Sequence, residues 1–158
     1  MTRLVSCLGP ALLAASALGA LAACNSGTAQ PPRPTPALHR LVGTHGNDRL
    51  VGTAGDDHIE GFAGSDVIHG LAGDDVLEGG EGGGYDRLVG GEGDDTLRLV
   101  ESGSAYGGPG DDTIRGVYLF SRSLIDCGPG RDHLYLTDTT EAYVTVRSCE
   151  TVTTTPVD

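Results

Sequence analysis

The chain has no lysine and no tryptophan, and only two phenylalanines and one methionine in 158 residues. All ten basic residues are arginine, and against 22 Asp and Glu they leave a net charge of −12. Such a balance gives no basic patch for a nucleic-acid backbone. So few large apolar side chains cannot bury enough surface to fold the chain alone, and the charge opposes compaction. The one long apolar run, Leu4 to Ala23, is broken by Gly9 and Pro10, which disfavours a retained membrane helix. There is no His-Glu-x-x-His and no Gly-x-Ser-x-Gly. The glycine-rich loops lack the Lys of a phosphate loop and carry an Asp facing where the phosphate would lie. No Asp has Asp or Asn two residues on, which excludes an EF-hand. The five histidines fall at different places in the pattern described next and read as surface groups, not zinc ligands.

Glycine is abundant, with 26 residues, and it is periodic. Gly43–Val51, Gly52–Glu60, Gly61–His69 and Gly70–Glu78 are four gapless copies of one nine-residue unit. Positions 1 and 4 are Gly, position 6 is Asp, and position 8 is Ile or Leu. A fixed short period signals a repeat architecture. Glycine accepts a positive φ, so a tight turn can aim its carbonyls inward. Those carbonyls and the Asp carboxylate are hard oxygens of the kind Ca²⁺ gathers. The three residues after Asp alternate polar, apolar, polar, as a very short strand with one buried side chain would. The unit resembles G-G-x-G-x-D-x-U-x, the calcium-binding nonapeptide of the repeats-in-toxin (RTX) family, also called the hemolysin-type calcium-binding region. The resemblance implies an all-β fold, a right-handed parallel β-roll in which two units make one coil. It also implies several bound Ca²⁺.

Beyond residue 78 the phase slips. Gly79-Gly80 reads as an insertion, with a fifth copy at Glu81–Val89 that starts on Glu in place of Gly. Gly90–Arg98, Gly107–Arg115 and Cys127–Tyr135 are the sixth to eighth copies, the last with Cys at position 1. Asp57, Asp75, Asp95, Asp112 and Asp132 are separated by 18, 20, 17 and 20 residues; Asp48, Asp66 and Asp86 by 18 and 20. These spacings predict one long and one short column of stacked carboxylates. Leu99–Tyr106 and Gly116–Asp126 would replace the short side, their apolar residues (Val117, Tyr118, Leu119, Phe120, Leu124, Ile125) carrying the core there. The expected ligands are the eight Asp side chains and the turn backbone at Gly43, Gly46, Gly52, Gly55, Gly61, Gly64, Gly70, Gly73, Gly91 and Gly93. The Asp pairs 48/66, 57/75, 66/86, 75/95, 95/112 and 112/132 set an upper limit of about six ions. Asp56, Asp74, Asp94 and Asp111, at position 5, read as solvated outer charges.

The ends differ. Residues 1–23 read as a secretory signal. Leu21-Ala22-Ala23-Cys24 resembles the lipobox of bacterial lipoproteins, which implies acylation at Cys24; an ordinary cleaved signal is the alternative. Residues 24–40 hold a Pro-rich run and read as an extended tether, 41–135 as the calcium-binding roll, and 136–158 as a C-terminal cap. Two cysteines in an exported small domain usually pair, so Cys127 and Cys149 are expected to form a disulfide; two free thiols are the alternative. The expected function is calcium binding by a cell-surface or periplasmic module with a structural or interaction role and no enzymatic activity. Its membrane contact would be through the lipid only. Two other classes remain open: a small enzyme with its site on Asp126, Arg131 and His133, and an adhesion solenoid, which would need a flat Thr ladder that the repeats lack.

Overall fold

The computed structural model describes residues 38–137 and 143–155. Residues 1–23, read above as a secretory signal, Cys24 and all but the end of the stretch read as a tether lie outside the described residues. Seven strands form one parallel sheet: β1 His39–Val42, β3 Asp57–Glu60, β5 Val76–Glu78, β7 Thr96–Val100, β9 Thr113–Val117, β11 His133–Thr137 and β13 Thr151–Thr155. Six form the other: β2 Arg49–Val51, β4 Val67–Ala72, β6 Asp86–Glu92, β8 Gly103–Tyr106, β10 Ser123–Asp126 and β12 Val144–Arg147. Successive strands alternate between the sheets, so the chain is a parallel β-solenoid of about six turns.

The period explains the architecture. The strand of each of the eight repeat copies starts at or just after its Asp and points position 8 inward. Leu50, Ile59, Ile68, Leu77, Leu88, Leu97, Ile114 and Leu134 are all buried, as expected. The parallel register stacks them in two files, Leu41-Ile59-Leu77-Leu97-Ile114-Leu134 and Leu50-Ile68-Leu88-Ala105-Ile125. Burying each Leu or Ile contributes about 1.5–3 kcal/mol. Because a coil has only one such residue per strand, its burial depends on the coils above and below.

Four details differ from the sequence reading. First, β1 begins at His39, inside the stretch assigned to the tether, because His39-Arg-Leu-Val42 pairs in register with Asp57–Glu60. Second, the insertion in the fifth copy lies within the turn. A Cβ on Gly79 would sit 2.5 Å from Asp86 Oδ2, so Gly79 holds the first position and the extra residues follow Gly80. Third, of the apolar residues in 116–126, Leu119 and Ile125 are buried, whereas Tyr118 and Phe120 are exposed and stack on each other at 6.2 Å. Fourth, the C-terminal end is itself built as a turn of the roll: β12 and β13 add one more turn in register with β10 and β11. The Cys127–Cys149 disulfide is present and ties that turn to the one before it.

Candidate metal centre

The Asp columns form hydrogen-bonded ladders. Each Asp Oδ1 accepts the backbone N–H of the Asp one coil earlier. The bonds run from Asp48 N to Asp66 (2.8 Å), Asp66 N to Asp86 (3.0 Å), Asp57 N to Asp75 (2.8 Å), Asp75 N to Asp95 (2.9 Å), Asp95 N to Asp112 (2.8 Å) and Asp112 N to Asp132 (2.8 Å). All six expected pairs are therefore brought together. The short column ends at Asp86, where the register continues with Gly103 and Ser123.

The second carboxylate oxygen is the unusual one. Oδ2 of Asp66, Asp75, Asp95, Asp112 and Asp132 is buried and meets no hydrogen-bond donor among the described residues. A buried acceptor left alone costs about 1–3 kcal/mol, and more when charged. Each of these oxygens except that of Asp132 lies against a position-1 glycine. A Cβ on Gly70 would collide with Asp75 Oδ2 and stand 2.7 Å from Gly90 O of the next coil. Only glycine leaves room for a carboxylate oxygen and a neighbouring turn carbonyl to converge there. Stacked carboxylates with carbonyl oxygens beside them make a hard oxygen donor set of the kind Ca²⁺ takes.

Electrostatics point the same way. Burial pushes Asp95 up to about 7 and Asp75, Asp86 and Asp112 up to about 6. Stacked carboxylates add to the rise, and the N–H received from the earlier coil works against it. Asp66 and Asp132 are raised for the same leading reason. The protein alone does not stabilise this many negative charges at neutral pH; a cation would.

Some participants were missed in the sequence. Glu150 extends the long column: its Oε2 accepts Asp132 N–H at 2.8 Å. His39 Nδ1 lies 2.8 Å from Asp57 Oδ1 and closes the other end. Each stands 18 residues from its Asp, so the period was the available signal, but neither belongs to a Gly-x-x-Gly-x-Asp turn. The position-5 aspartates are not simply solvated charges. Asp56, Asp74, Asp94 and Asp111 each accept the N–H of the position-5 residue one coil later, at 2.8–3.0 Å, in a second, outer ladder of opposite sense.

Asp126, Arg131 and His133 are not assembled into one site. Asp126 lies on β10 of the six-stranded sheet. Arg131 pairs with Asp111, and His133, on the seven-stranded sheet, bonds Thr153 and stacks on Tyr135. His58, Glu60 and Glu78 gather on the outer face, but Arg40 and Arg98 pair with these carboxylates.

A family model described as RTX calcium-binding nonapeptide repeat (4 copies) matches residues 42–77, 60–83, 72–99 and 104–116. No curated protein and no solved structure matches the chain. The matched residues contain the turns of seven of the eight copies and the Asp columns from Asp48 to Asp112. Over those residues the chain is an RTX-like parallel β-roll whose repeats are of the calcium-binding kind.

Proposed function

We propose that this protein is an exported, lipid-anchored calcium-binding β-roll that folds on binding the ion. Its role at the cell surface would be structural or interactive, not enzymatic. The observation that carries the calcium reading is the row of buried, unpartnered Oδ2 atoms on stacked aspartates. A Ca²⁺ beside each of these oxygens would take it together with neighbouring turn carbonyls, and would offset part of the net charge of −12. Extracellular calcium modules typically bind at about 10⁻⁴ to 10⁻³ M, so folding is expected to switch on in that range. A calcium titration followed by circular dichroism tests this. Full β-structure and an unchanged melting temperature without calcium would sink it. The anchoring rests on Leu21-Ala22-Ala23-Cys24 and the Pro-rich run after it. Cys24→Ala should move the protein from the membrane to the soluble fraction; continued membrane retention would refute the anchor.

A further inference from the structure

We propose that the first two turns of the roll need no calcium, because a threonine takes the ion's place. On this inference the ions occupy only turns from the third copy onward. It rests on the calcium-binding reading above and assigns where along the roll that reading applies.

The observation is a split at position 2 of the unit. In the first two copies this residue is Thr44 or Thr53. The N–H and Oγ1 of Thr44 donate to Asp48 Oδ2 at 2.6 and 2.9 Å. Those of Thr53 donate to Asp57 Oδ2 at 2.6 and 3.1 Å. Each Thr Oγ1 also accepts the position-4 amide, Gly46 N–H at 3.1 Å and Gly55 N–H at 3.3 Å. The oxygen that is unpartnered in later copies is thus satisfied within its own turn. Asp57 is satisfied at both oxygens, since His39 takes the other.

In the six other copies position 2 has a left-handed backbone: Phe62 at φ 75°, Leu71 at 94°, Gly80 at 111°, Gly91 at 135°, Gly108 at 125° and Gly128 at 105°. For Phe and Leu this conformation is strained, and strain of this kind collects at ligand sites. It persists only where something else holds the turn. In these turns no hydrogen bond from position 2 reaches the Asp, and Oδ2 of Asp66, Asp75, Asp95, Asp112 and Asp132 is left free. A β-branched residue is the least suited to positive φ. Threonine therefore selects the self-satisfied turn through its backbone preference and fills it through its hydroxyl. One residue type decides whether a turn is closed by the protein or left open for a cation.

The consequence is a preformed first coil. His39 on Asp57, Arg40 on Glu60 at 2.8 Å and the two Thr-capped turns hold it with protein donors alone. The next coil can then stack on a ready template as calcium arrives.

Native mass spectrometry of the full chain in millimolar calcium counts the ions directly. Thr53→Gly removes both the cap and the β-branch, and should raise the count by one. Leu71→Thr installs the cap beside Asp75, and should lower the count by one while relieving the strain at residue 71. An unchanged count in Thr53→Gly overturns the inference; so does an unchanged count in a folded Leu71→Thr. If Leu71→Thr fails to fold, the Thr53→Gly count alone decides. No ions on the wild-type chain would instead refute the calcium reading itself, which keeps the two failures apart.

Discussion

Acidifying the calcium-free protein should fold it. Asp75, Asp86 and Asp112 stand at about 6 and Asp95 at about 7 in the folded roll, against 3.8 ordinarily. A folded-state value above the unfolded one means that the folded chain holds protons which the unfolded chain releases. The stability tied to these groups is fully present below about pH 3.8 and is lost as pH rises through 6 to 7. At about 1.4 kcal/mol per pH unit, keeping all four ionised in the folded state at about pH 8 costs about 13 kcal/mol. That equals or exceeds the whole stability of most domains, about 5–15 kcal/mol. At about pH 5 the cost is about 6 kcal/mol, so acidification returns about 7 kcal/mol. The assay is far-ultraviolet circular dichroism of calcium-stripped protein across that range. The β-signal should grow as pH falls. In a parallel series with calcium present, the calcium midpoint should rise as pH drops through 7 to 6, because protons and the ion compete for the same oxygens. A β-signal that is flat, or that grows with pH in the stripped protein, would refute the reasoning.

Asp75→Ala should raise the calcium midpoint more than Asp48→Ala. Asp75 accepts the buried Asp57 N–H and presents a free Oδ2, whereas Asp48 heads its column and is capped by Thr44; equal shifts in two titrations would count against this. Cys149→Ser should lower the melting temperature of the calcium-loaded protein by about 10 °C, since a loop of this length is worth about 3 kcal/mol. It should also loosen Glu150, the next residue; thermal melts with and without reductant check it. Hydrogen exchange after calcium removal should be graded, with the turns at 61–66, 70–75 and 90–95 losing protection before Thr44, Thr53 and the residues around the disulfide. Uniform loss would show that the coils do not differ in their need for the ion.

Much of this was legible because a nonapeptide period fixes inward and outward directions for every residue. The position-8 residues, the two Asp columns and the irregular second side follow from it; the disulfide was legible separately, from two cysteines in the exported part. What was hidden lies where the chain departs from the unit or reaches across coils. The run Gly79-Gly80-Glu81-Gly82-Gly83-Gly84 contains too many glycines for composition to fix its register. Packing decides it, through Gly79 beside Asp86 Oδ2 and Gly84 over Gly64 O. The outer ladder from Asp56 to Arg131 was invisible because each partner lies 17–20 residues away and exposure does not preclude a hydrogen bond. Glu150 carries the same carboxylate chemistry as Asp but has no glycine turn before it, so the motif passed over it while the spacing did not.

The roll solves one problem in three ways along its length. Every coil must stabilise a turn whose carbonyls and carboxylate crowd together. At the first turns protein donors do this, through Thr44 and Thr53. In the middle no side chain is placed to do so, and the demand falls on the cation. Toward the end the short Asp column stops at Asp86, and apolar packing takes its place. Leu99 packs against Gly103, where an Asp would have continued the column. Leu119 and Leu136 close on Gly116, where even a Cβ would stand 2.8 and 2.9 Å from them. Leu99, Leu119 and Leu136 add buried side chains that the repeat unit itself does not supply, and the disulfide constrains the last turn. Losing an Asp column at one end is tolerable because each lost carboxylate also removes a charge needing a cation. The same sequence drift that breaks the repeat therefore lowers the roll's dependence on calcium there.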